Sequence, residues 1–343
     1  MANTRNRISL KDIANRAGVS TSLVSFVLNG KQKQHRIKDE VAQRIKEIAK
    51  ELNYKPNAAA KSLRNGRSRT IGVVVSDISN PFFAHLARHI EASAERHGYS
   101  VHFASSDESA QRTAVLVDNM LNKGVDCIVL VPCEGSDATV KELMDKNIPL
   151  VLLDRYIPGI NTNYACLNNR QAAYDATCHL IDEGFRRIGM IAYGVQLKHM
   201  TDRIEGYRTA MTDRGLEAEI SIEYADHASM QKSCETAIRK MLERNTEALV
   251  LATNTIAVEC LYIIRKRGII VPDQLGIVGF DGGNAFEFFY SPLSYIQQPL
   301  EMMAQKAVEI LVEQLDSSDS FMQHVETEGI LVKRSSSIRN SRK

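Results

Sequence analysis

In the segment KDIANRAGVSTSLVSFVLNG (residues 11–30), hydroxyl and aromatic side chains gather where a helix would begin. Leu23, Val24, Val27 and Leu28 recur at helical spacing, which leaves Thr21, Ser22, Ser25 and Phe26 at the N-terminal and outward positions. Ser and Thr hydroxyls can bond base edges or phosphates, and an aromatic ring can pack on a thymine methyl. This is recognition chemistry rather than catalysis. Cys127, Cys133, Cys166, Cys178, Cys234 and Cys260 form no C-x-x-C, and none sits beside a His at zinc-ligand spacing. Buried free thiols in a reducing cytosol are the expectation. The sequence has no G-x-G-x-x-G after a strand, no P-loop, no G-x-S-x-G elbow and no H-E-x-x-H. Neither an enzyme nor a cofactor or metal is therefore expected.

Charge points the same way. Net charge is only +2, but residues 1–69 carry 16 Lys and Arg against 5 Asp and Glu, and the rest carries 27 against 36. A basic head on an acidic body suggests a head that meets a polyanion. The first ten residues are polar and basic, so no secretory signal is expected and a cytoplasmic location is. No run of eighteen apolar residues offers a membrane span.

The elements that position these residues follow from periodicity. ISLKDIANRAG reads as a helix broken by Gly18, and Ser20 can cap the second helix, which Asn29-Gly30 stops. IKDEVAQRIKEIAKELNY is a third amphipathic helix. Ala14 is small where the first two helices cross, Gly18 permits the tight turn, and Val19 and Val24 fill the junction. That is helix-turn-helix character, with the second helix laid in the major groove. PNAAAKSLRNGRSR, opened by Pro56, reads as a short helix, marginal alone and folding on contact. From Thr70, apolar runs such as TIGVVVSD, DCIVLVP, IPLVLLD and LGIVGFD alternate with helices. They predict parallel sheets covered on both faces, in two lobes. Binding residues should lie just after the C-terminal ends of the strands.

The head, the hinge sequence LNYKPNAAAKSLRNGRSRTIGVVV and the body sequences DISNPFF, LVLLDR, DRIEGY and LGIVGFD together resemble the LacI/GalR family of regulators. The resemblance covers nearly the whole chain. It implies a small all-α helix-turn-helix head over 1–55, a hinge helix over 56–69, and a two-lobed α/β body over 70–343 like periplasmic binding proteins. The N-lobe would take about 70–167 and 298–325, and the C-lobe about 168–297 and 326–343. The implied DNA contacts are Thr21, Ser22, Ser25, Phe26, Asn29, Arg36, Asn57, Ala60 and Leu63. Leu63 would wedge into the central minor-groove step, where unstacking is offset by contacts on bent DNA. Lys31, Lys33, His35, Arg36 and Lys38 would touch phosphates. Phe26 departs from the family, which often carries Arg or another polar reader there.

The body is similar to ribose-type sugar binders. The likeness implies an effector set of Asn80, Phe82, Phe83, Asp154, Arg155, Arg203, Asn254, Asp281 and Gln298. A pyranose offers apolar faces to aromatic rings and hydroxyls to carboxylates, guanidinium and amides. Asn254-Thr255 stands where the family usually has Asn-Asp. The expected partners are a pseudo-palindromic double-stranded operator, a monosaccharide-like effector and a second copy of the chain. The dimer surface would lie on the N-lobe, around helices starting near Pro81 and Ser109. A purine, a sugar phosphate or a protein corepressor are the alternative effectors; a sugar-transport protein fits less well, given the basic head. The C-terminal EGILVKRSSSIRNSRK has no sustained heptads, so a coiled-coil tetramerisation tail is not expected.

Overall fold

The computed structural model describes residues 8–54, 66–317 and 322–339. It divides into two compact units, Met1–Ser68 and Arg69–Lys343.

The head contains α1 (Leu10–Ala17), α2 (Thr21–Leu28) and α3 (Asp39–Glu51). Ser9 caps α1 reciprocally: Asp12 N donates to Ser9 Oγ, and Ser9 N donates to an Asp12 carboxylate oxygen. Gly18 closes the helix at φ +69°, a left-handed position that costs glycine nothing. The turn it allows is short, because Ser20 already accepts from Leu23 N to start α2. Ile13, Ala14, Val24, Val27 and Ile45 form the buried centre.

The body holds two six-stranded sheets. The first contains β1 (Thr70–Val75), β2 (Ser100–Ser105), β3 (Cys127–Leu130), β4 (Leu150–Leu153), β5 (Asn163–Leu167) and β11 (His324–Thr327). Its order is β11-β5-β4-β3-β1-β2, parallel throughout. The second contains β6 (Ile188–Tyr193), β7 (Ser221–Ala225), β8 (Ala248–Leu251), β9 (Gly276–Phe280), β10 (Ser294–Gln297) and β12 (Ile330–Val332). Its order is β12-β10-β9-β8-β6-β7, and β12 alone is antiparallel to its neighbour. The helices α4 (Pro81–Arg96), α5 (Ala110–Asn122), α6 (Asp137–Asp145) and α12 (Leu300–Asp316) go with the first sheet. The second takes α7 (Asn169–Asp182), α8 (Lys198–Asp213), α9 (Met230–Glu243) and α10 (Asn254–Lys266). The short α11 (Asn284–Phe288) follows β9. Both faces of each sheet are buried, which is why the central strands are continuous apolar runs.

The parallel sheets are as expected, with one antiparallel edge strand, β12, against β10 in the second sheet. In the first sheet β11 stays in register with β5 to Thr327. The chain therefore passes between lobes at 167–169, 297–300 and 327–330.

One glycine in the body is set by close approach. A Cβ on Gly206 of α8 would lie 2.1 Å from the carbonyl oxygen of Arg170 on α7, so only glycine lets these helices pack. Gly206→Ala should destabilise the body by at least about 3 kcal/mol, because the obstacle is backbone. Urea unfolding of the variant checks this; an unchanged midpoint would contradict the packing.

Candidate functional site

Between the lobes lies a cavity of about 1300 Å³, lined by residues just past the ends of strands in both sheets. From the N-lobe come Asn80, Phe82 and Phe83 after β1, Glu108 after β2, and Asp154 and Arg155 after β4. From the C-lobe come Tyr193 at the end of β6, Asn254 after β8, Asp281 after β9, and His199 and Arg203 from α8.

Each side chain is placed by its element. Asn80 caps α4, its Oδ1 accepting from Phe82 N at 3.0 Å, and Pro81 opens the helix. The rings of Phe82 and Phe83 then meet edge to face, with centroids 4.9 Å apart. Both belong to the N-lobe core and also line the cavity. Asp154 and Asp281 occupy equivalent strand ends with left-handed backbones, at φ +68° and +60°. Asp tolerates this conformation better than most residues.

Arg155 is buried and gripped. Its terminal nitrogens donate to both Glu108 oxygens at 2.9 and 2.8 Å, and its Nε stands 3.3 Å from Asp154. Burial pushes the Glu108 carboxyl up, but the guanidinium outweighs it and holds the group below its ordinary range. Asp154 goes the other way: burial raises it despite Arg155 and Arg203. Arg203 donates from Nε to Asn169 at 2.8 Å and from a terminal nitrogen to the Ala252 carbonyl at 2.5 Å. Its guanidinium carbon lies 4.1 Å from the centre of the Phe280 ring. His199, one helical turn before Arg203, is buried beside both guanidiniums and stays neutral well below its ordinary range.

At the cavity wall the lobes touch. Asn254 Nδ2 donates to Asn80 Oδ1 at 2.8 Å, and Asn80 Nδ2 reaches Thr255 Oγ1 at 3.4 Å. The structure thus brings eight of the nine expected effector residues around one cavity. Gln298 is the exception. It donates to Asp281 Oδ1 at 2.6 Å and faces an adjoining cavity of about 890 Å³, beside His85 and His89, that shares Phe82 and Asp281 with the first.

Sequence reasoning missed Glu108, His199 and Tyr193. Glu108 and Tyr193 obey the same strand-end rule, applied to YSVHFAS and RRIGMIAY. His199 stands at i, i+4 spacing from Arg203. Among the described residues no cluster of His, Cys, Asp and Glu could hold a metal.

In the head, α2 carries Thr21 and Ser22 exposed, and Ser25 and Phe26 half-buried. Phe26 stacks on His35, centroids 3.6 Å apart at 15°, which occupies one face of the ring expected on a thymine methyl. Asn29 turns its amide back to the Ser25 carbonyl and closes α2. Lys31, Lys33, Arg36 and Lys38 are exposed, with no ion pair among the described residues. Asn57, Ala60 and Leu63 lie outside the described residues.

Comparison with known proteins agrees with both halves. Residues 9–57 match the family described as bacterial regulatory proteins, lacI family, and residues 177–337 match the periplasmic binding protein-like domain. The chain is 30% identical over 309 residues to the ribose operon repressor of Haemophilus influenzae, covering 90% of this chain and 92% of that protein. It is also 30% identical over 318 residues to catabolite control protein A of Priestia megaterium, covering 90% and 93%. A crystal structure of the lac repressor dimer bound to operator and the anti-inducer ONPF superposes with a TM-score of 0.86 at 22% identity, over 97% of this chain and 100% of that one.

Asp281 gives the site a pH signature. Burial pushes its carboxyl up to about 6, against the pull of Arg203 and Gln298. Unfolded, it ionises near pH 3.9, so between about 4 and 6 the folded state holds the extra proton and stability falls as pH rises. His199 acts oppositely, its contribution being lost as pH falls. Comparing wild type with Asp281→Asn cancels His199. The stability advantage of wild type should shrink by on the order of 2 kcal/mol from pH 4 to pH 7 in urea titrations. A pH-independent difference would remove the raised Asp281.

Proposed function

The chain belongs to the lacI family of bacterial regulatory proteins, and we propose that this transcriptional repressor binds a pseudo-palindromic operator as a homodimer under the control of a free sugar. The carrying observation is the cavity: Asp154 and Asn80 of one lobe and Arg203 and Asp281 of the other line it together. A ligand there touches both lobes at once, so its affinity depends on the angle between them.

The chemistry of the lining suits a polyol. Phe82 and Phe83 supply apolar surface, carboxylates accept from hydroxyls, and amides and guanidinium give directed bonds. The effector acts by binding two lobe arrangements unequally, since equal affinity shifts nothing. In a dimer, a changed lobe angle moves the two hinge segments relative to each other, and with them the two heads. In the head, Thr21, Ser22, Ser25 and Phe26 read base edges, and the basic residues after α2 position it on phosphates. Asn29, Arg36, Asn57, Ala60 and Leu63 complete the proposed DNA contacts.

Two assays on the full chain test this. Selection from random duplex DNA should enrich sites with two-fold symmetry. On such a site Leu63→Ala should lose far more affinity than on unrelated DNA; equal losses would refute the minor-groove wedge. A thermal-shift screen of pentoses, hexoses, their phosphates and purines should find a free sugar that adds about 2.7 kcal/mol at 100 times its Kd. Arg203→Ala should abolish the response to that sugar while leaving operator affinity in place. A wild-type response to a purine alone would replace the sugar.

A further inference from the structure

A guanidinium in a ligand cleft is the natural grip for a phosphate or carboxylate, held by two parallel N–H bonds. Arg155 makes such a fork-to-fork pair, at 2.9 and 2.8 Å, but with Glu108 of its own chain. The Pro132 carbonyl takes a further bond at 3.3 Å, and Asp154 stands against Nε. The Arg155 and Glu108 side chains are only 9% and 28% exposed.

The loop that delivers Glu108 is held in an unusual shape. Asp107 and Glu108 are consecutive non-glycine residues in the left-handed region, at φ +53° and +55°. Such residues persist where the surroundings over-determine them. Here Ser106 N and Asp107 N donate at 2.8 Å to the carbonyls of Val75, the last residue of β1, and Ser76, the next. Arg112 holds the Ser105 carbonyl at 2.8 Å and the Asp107 carboxylate at 3.1 Å. The second guanidinium is engaged too, by Asn169, the Ala252 carbonyl and the Phe280 ring. Glu134 and Glu259 add carboxylates to the lining, with no ion pair among the described residues.

We propose that Glu108 is a built-in counter-anion that fills the anion-binding half of the cleft and makes it select uncharged polyols against phosphate esters and carboxylates. An anionic ligand must either displace Glu108 from Arg155 or sit beside its like charge. A hydroxyl meets no such barrier, because it can donate to the carboxylate where it stands. The biological use of this selectivity rests on the cleft being the effector site; the occupation of Arg155 does not.

Inorganic phosphate is the probe, titrated calorimetrically into the full wild-type chain, Glu108→Ala and Glu108→Gln, with circular dichroism reporting folding. Both variants should bind phosphate at least about tenfold more tightly than wild type. The gain should vanish when Arg155→Met is added to Glu108→Gln. If the alanine variant fails to fold, the glutamine variant, which keeps the shape and one acceptor, decides the matter. Phosphate binding to wild type as tight as to the variants, or folded variants that gain nothing, would overturn the proposal. A gain in the variants without response of wild type to any neutral sugar would keep the role of Glu108 and discard the sugar effector instead.

Discussion

Two guanidinium groups lie beneath the cleft almost out of reach of water, and each must be neutralised where it stands. A cation buried alone costs several kcal/mol even after relaxation. Arg155 is answered by Glu108 and Asp154, and Arg203 by an amide, a carbonyl and an aromatic face, with Asp281 and Asp154 in electrostatic range. The demand propagates into the backbone. Asp154, Asp281 and Glu108 all adopt left-handed conformations, each just past a strand end. A strand that ran straight on would carry these carboxylates away from the cavity. The cleft is thus built from conformations that L-residues usually avoid, held by the rigid sheets behind them.

The head obeys a different constraint. Its core is a handful of aliphatic side chains around Ile13, Val24 and Ile45, too few to leave slack for irregular geometry. Local signals therefore do most of the specifying: the capping box at Ser9, the left-handed Gly18 and the Ser20 cap. The second helix, α2, keeps its apolar side in this core and turns Thr21 and Ser22 outward. Charge is segregated accordingly, with the surplus of Lys and Arg in residues 1–69.

This division explains what was legible in the sequence. The helices of the head and the central strands of both sheets announce themselves, because burial on both faces demands unbroken apolar runs. The strands β5, β7, β10, β11 and β12 do not. They lie at or near sheet edges, mix polar with apolar residues and run for only a few residues. The strand-end rule and the family resemblance together named Asp154, Arg203 and Asp281, and all three line the cavity between the lobes. Glu108 was not named, because its partner lies 47 residues away and only the turn of the loop brings them together. Gln298 was named too, but its residue type could not show that it would bond the Asp281 carboxylate.

The departure at Thr255 acquires a physical sense in this setting. Asn80 and Asn254 pair across the lobes as neutral amides, with the Thr255 hydroxyl as a further neutral partner. Such hydrogen bonds contribute net about 0.5–1.5 kcal/mol each, because water competes for the same groups when the lobes part. An acid at 255 would instead place a charge at the closing wall, near a cleft already rich in carboxylates. These bonds therefore add only a small term to the contact between the lobes. On the proposed function, a ligand that bridges both lobes with several bonds would outweigh so weak a latch.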